Sequence, residues 1–116
     1  MNLLVTVDTI HWAFAFLLLL CALLFGWVQM GRRVMVALIG IQVLIGVVFA
    51  GLIGRPPMLI IWHILFALLA MGAYIAGRRL GAGSKSRVIP MLFSLLGLLL
   101  LVLTAYVGLK MHGRIA

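Results

Sequence analysis

"VMVALIGIQVLIGVVFAGLIGRPPMLIIWHILFALLAMGAYIAGRR", residues 34–79, decides the fold. Two apolar runs, 34–53 and 58–77, are parted by a short Gly-Arg-Pro-Pro. Each run approaches the ~20 residues that carry a helix across a ~30 Å hydrocarbon core. Neither shows the strict alternation of a half-buried strand, and only helices and closed barrels satisfy their backbone in lipid. Pro56 and Pro57 suit the start of the second run and oppose continuation of the first.

Outward from this stretch the pattern repeats. Runs near 9–30 and 88–109 complete a set of four, and together they use nearly all of the 116 residues. The composition is 67% hydrophobic, with nine Lys/Arg and one acid, which leaves too little for a water-soluble domain. The expectation is one all-α domain over 1–116, a polytopic membrane protein built as an up-down bundle of four transmembrane helices. The first run is not expected to be a cleaved signal, since Asp8 is the only charge ahead of it and a second span follows at once. Cys21 stands alone in mid-span, which excludes a disulfide and a thiolate metal site. Pro90 falls in the first turn of the fourth helix, where its missing N–H costs little.

The net charge of +8 does not point to nucleic acid. The basic residues fall in short stretches between helices, where phospholipid headgroups are the natural partners. "GRR" at 31–33 is expected to end the first helix, and "GRRLGAGSKSR" at 77–87 to form the longest loop. These two carry Arg32, Arg33, Arg78, Arg79, Lys85 and Arg87, against Arg55, Lys110 and Arg114 on the other side. Six against three favours N-out and C-out, with the basic loops in the cytoplasm. His11, His63 and His112 then share the outer half, with His63 about 9 Å down its helix at 1.5 Å per residue.

A weak internal repeat links the first and third helices. "HWAFAFLL" aligns with "HILFALLA", so Phe14 and Phe66 follow their histidines by three residues, and Ala15 and Ala67 by four. Both stretches are followed by Gly-Arg-Arg, which fits a duplicated hairpin with an axis along the membrane normal. Small residues at four-residue spacing, among them Gly46, Ala50 and Gly54, fit close helix packing. Ala22 with Gly26, Ala73 with Gly77, and Thr104 with Gly108 follow the same spacing.

Few polar residues lie in the spans, and no nucleophile, base and acid assemble into a hydrolase set. No span carries a carboxylate for proton or cation antiport, and no glycine-rich phosphate loop follows a strand. The histidines remain. Imidazole is a standard axial ligand of haem iron, and bundle cores hold cofactors. His11 and His63 are the candidate ligand pair for a b-type haem. Ala15 and Ala67 would leave room for a flat ring, with Phe14, Phe66, Trp12 and Trp62 as apolar walls. The competing readings make His11 and Trp12 interfacial residues, and give His63 a backbone carbonyl or Gln42 as hydrogen-bond partner. A quinone slot using Asp8 and His11 is a third possibility, although Asp8 also suits an N-terminal cap. His112 and Lys110 read as interfacial or snorkelling residues.

Two resemblances bear on these readings. "IHWAFAFLLL" (10–19, with His11 and Trp12) and "YVGLKMHG" (106–113) resemble the small bacterial membrane proteins of the YisL-like family. That likeness spans the whole chain and implies a bacterial plasma membrane, with no activity. It departs at the third helix, where family members often carry lysine and this chain has His63. "IQVLIGVVFAG" (41–51) and "WHILFALLAMGAYIAG" (62–77) resemble the glutamine–glycine and histidine helices in one four-helix half of haem A synthase. This second likeness covers about residues 10–77. It implies His11 and His63 as ligands of one haem b and no catalysis, since the spans contain no glutamate. The leading expectation is a non-catalytic accessory protein or subunit of a membrane complex, a respiratory one included, packed against other subunits or a second copy. The alternative is a haem b electron carrier.

Overall fold

The computed structural model describes residues 3–53, 58–83 and 87–115 and is all-helical there. Four helices follow in order: α1 (Leu3–Phe25), α2 (Gln29–Ile53), α3 (Leu59–Gly83) and α4 (Val88–Ile115). All four are long and apolar enough to cross a membrane, the architecture of a multi-pass membrane protein. Consecutive helices pack on one another, the α3–α4 pair most extensively, and α1 closes on α4 through a lighter contact than any consecutive pair makes. Cross-contacts such as Gln42 with His11 and Gln29 with Arg78 show α2 running against both neighbours.

The core is a thin column of Leu18, Ala22, Met35, Ile39, Ala70, Tyr74 and Leu101. Leu, Val and Ile side chains cover the outside, among them Leu24, Leu44 and Leu99. Such an apolar exterior suits a hydrocarbon surrounding, where close contact and hydrogen bonds supply the cohesion between helices. Two threonine hydroxyls are satisfied within their own helices: Thr9 donates to the Val5 carbonyl at 2.8 Å and Thr104 to that of Leu100 at 2.7 Å.

The helix ends differ from the sequence reading. α1 spans 3–25 instead of 9–30, so Asp8 lies inside the helix and is no cap. The chain turns at Gly26, whose N–H donates to the Cys21 carbonyl at 3.1 Å. A Cβ there would lie 2.7 Å from the Ala22 oxygen, so the turn requires glycine. Trp27 covers the end of α1 by donating Nε1–H to the Leu23 carbonyl at 2.8 Å. α2 therefore starts before Arg32 and Arg33, which belong to its first turns and not to a loop. α3 takes in "GRRLGAG" and ends at Gly83, and α4 continues past 109 to Ile115. Arginine is a good helix former that buries its stem and keeps its head polar, so charge alone did not mark the helix ends. Arg55, Pro56, Pro57 and Lys85 lie outside the described residues.

Arg32 is the clearest departure from a surface loop, at only 4% exposed. Its Nε donates to Ser94 Oγ at 2.8 Å, one terminal nitrogen to Gln29 Oε1 at 3.1 Å and the other to the Trp27 carbonyl at 2.9 Å. Gln29 in turn donates Nε2 to the Arg78 carbonyl at 2.6 Å. The planar guanidinium has five donors in a fixed fork, and three oxygens from three directions hold it in place. Tyr74 fills the space beside it, against Gly97, where a Cβ would meet the Tyr74 ring at 2.6 Å.

Candidate functional site: a histidine pair between the helices

The two histidines singled out in the sequence meet across the other end of the bundle. The ring centroids of His11 and His63 are 6.1 Å apart, with the ring planes at 65°. α1 and α3 carry them at equivalent places in the repeat, and both helices turn the alanine four residues on toward the same space. Ala15 and Ala67 line the pocket. Asp8, Trp12, Phe49 and Thr104 line it too, around a cavity of about 110 Å³.

Each ring is seated on the helix that follows its own. His11 rests on α2 at Gly46, where a Cβ would approach its Cε1 to 3.3 Å. His63 rests on α4 at Gly108, where a Cβ would approach its Cε1 to 3.1 Å. Four residues before each glycine stands a polar residue that ties the hairpin. Gln42 donates Nε2–H to the His11 carbonyl at 2.8 Å, and the Thr104 carbonyl lies 2.9 Å from His63 Nδ1. A carbonyl only accepts, so His63 Nδ1 carries the proton and a neutral ring keeps Nε2 as its lone-pair nitrogen. Such a partner fixes the tautomer and the orientation of an imidazole ring.

On the α1 side, His11 stacks on Phe49 with centroids 6.4 Å apart and planes at 14°. Two buried polar atoms here have no hydrogen-bond partner: His11 Nδ1 and Gln42 Oε1. Buried polar atoms are paired in the great majority of cases, and both residues line the pocket; a third such atom, the Tyr74 hydroxyl oxygen, lies outside it. The described residues bring no three His, Cys, Asp or Glu side chains together for a metal.

The expected walls are partly different. Trp12 lines the pocket as expected, but Phe14 packs on the hydrophobic core. Phe66 and Trp62 contact each other, centroids 6.1 Å apart, and Trp62 is exposed. Phe49 supplies the aromatic wall that the sequence reading missed. It lies seven residues after Gln42 and three after Gly46, the helical spacing of one face. His63 takes a backbone carbonyl, and Gln42 serves His11 instead. Gly46 and Ala50 turn toward the pocket, and Gly54 lies outside the described residues. Lys110 lies over the Tyr106 ring at 5.0 Å from its centroid, on the exposed face, while the His112 side chain lies outside the described residues.

Comparison with protein-family models, with curated proteins and with solved structures gives no match. The functional reading rests on the geometry above.

Proposed function

We propose that this chain is a multi-pass membrane protein that holds one b-type haem between His11 and His63. A haem bound there would supply one-electron transfer. The observation that carries the reading is the 6.1 Å spacing of the two rings across a pocket walled by small residues. His11 and His63 would hold the haem between α1 and α3, their rings close enough to share one guest. Two imidazoles are an incomplete shell for a bare ion. They would suffice for a metal already held in a macrocycle. The hydrogen bond to the Thr104 carbonyl would leave His63 Nε2 free for the iron.

The cavity of about 110 Å³ takes an edge of the macrocycle, not its whole, since ligand pockets run to roughly 300–1,000 Å³. Binding of the whole ring would need the bundle to open, and α1 meets α4 more lightly than it meets α2. Titration of haem into the purified protein in detergent tests this. One haem per chain with a low-spin, six-coordinate spectrum is expected. Absence of saturable binding overturns it.

The reading sets the chain in a bacterial plasma membrane with both termini outside and the Arg32 end in the cytoplasm. Charge asymmetry supports that direction, and removing the buried Arg32 from the count still leaves five basic residues against three.

One observation favours a second reading, a non-catalytic accessory subunit of a membrane complex. Gly40 and Gly51 on α2 have nothing within 4 Å of a built Cβ, and Leu44 and Val47 between them are exposed. This face would admit the backbone of a helix from another subunit or a second copy. A purified protein that stays colourless with haem in excess favours this second reading.

A further inference from the structure

We propose that Arg33, Arg78 and Arg79 form a binding site for a phosphate group, filled by the headgroup of an anionic phospholipid. The three arginines line one recess of about 380 Å³ with Gln29, Met30 and Ala82, between the start of α2 and the last turns of α3. The site lies at the opposite end of the bundle from the histidine pair and does not depend on that reading.

Three features make this recess more than a scatter of surface charge. The first is a fixed frame. Gln29 uses both ends of its amide, accepting from Arg32 and donating to the Arg78 carbonyl. That bracket ties α2 to α3 beside the recess. The second is the absence of competition. The sequence holds one acidic residue, Asp8, and it lies at the histidine end. No side-chain carboxylate can neutralise the cluster, and the buried Arg32 adds a fourth positive charge behind Gln29. Guanidinium forks match phosphate oxygens in pairs.

The third feature is position, which selects a lipid over free phosphate. The recess sits at the end of two helices apolar enough to span a membrane. Met30 lines it and is 66% exposed, an apolar edge where the glycerol and upper acyl chain of a lipid would lie. Basic pockets between membrane helices favour such headgroups.

The test is lipid retention, read by native mass spectrometry of the detergent-solubilised full chain. Phosphatidylglycerol, phosphatidylcholine and inorganic phosphate are offered separately. The wild type is expected to keep one phosphatidylglycerol per chain and to prefer it over phosphatidylcholine. Each arginine contributes roughly fivefold, so Arg33→Gln/Arg78→Gln/Arg79→Gln should weaken retention on the order of 100-fold. Arg79→Gln alone is an exposed change that leaves the Gln29 bracket intact, so it reports even if the triple variant misfolds. It should weaken retention roughly fivefold, whereas Arg87→Gln, outside the recess, should not. Equal retention of the two lipids, or unchanged retention in Arg79→Gln, overturns the site. Inorganic phosphate that displaces phosphatidylglycerol at equal concentration overturns the lipid assignment.

Discussion

His63 donates from Nδ1 to the main-chain carbonyl of Thr104 across 2.9 Å, on a stretch of α4 opened by Gly108. The carbonyl orients the ring and the glycine lets it approach. Adding bulk at Gly108 should therefore act on His63 alone. A Cβ there would come within 3.1 Å of Cε1, so Gly108→Ala needs a shift of a few tenths of an ångström. Gly108→Val should displace the ring and cost about 1–3 kcal/mol in a reversible melt. Equal melting temperatures for Gly108→Val and the wild type would show that the ring is not held there.

Ala50 borders the cavity, whereas Leu52 is exposed. Ala50→Leu should extend into the open space, change stability by less than about 1 kcal/mol and abolish haem uptake, because it fills space instead of overpacking a contact. Leu52→Ile should alter neither. Thermal melts and a haem titration on the two variants separate the outcomes. A loss of about 1–3 kcal/mol at Ala50 would mean that its side chain meets a packed helix.

Arg32 and Ser94 form the polar tie at the other end, 2.8 Å from Nε to Oγ. Ser94→Ala removes one charge-assisted bond from a buried cation and should cost roughly 1.5–3 kcal/mol. Arg32→Lys should cost more than Ser94→Ala, because one ammonium cannot reach the Ser94, Gln29 and Trp27 oxygens from a single position. Denaturation in detergent gives the comparison, and a Lys variant as stable as the wild type contradicts the fork.

The four spans were legible because length and apolarity are properties of the sequence alone. The histidine pair was legible through the repeat, which set His11 and His63 at matching places on helices running the same way. The helix ends were not. Arginines read as loop markers, yet Arg32 finds three oxygens and enters α2, two of them from residues whose own placement depends on the turn at Gly26. Thr104 illustrates a deeper limit. It acts through a main-chain carbonyl, which every residue possesses, so no side-chain signal could have named it. Phe49 was within reach, since Gln42, Gly46 and Phe49 share one helical face, but the aromatic residues beside the histidines drew the assignment instead.

Topology is open to a direct test. A reporter fused after Ala116 should be active only in its extracytoplasmic form, as the charge asymmetry requires. Cytoplasmic activity would mean that Lys110 and Arg114 dominate orientation, and the histidine pair would then face the cytoplasmic half of the membrane.

The absorption spectrum of the protein purified from cells supplied with haem, compared across three histidine variants, bears most directly on the central claim. The wild type should show a Soret band. His11→Ala and His63→Ala should each abolish or sharply reduce it, because each removes one of two axial ligands. His112→Ala should leave it intact, since His112 is not part of the pair. A stable, monodisperse, colourless wild type, or a Soret band unaffected by either ligand substitution, would contradict haem ligation by His11 and His63.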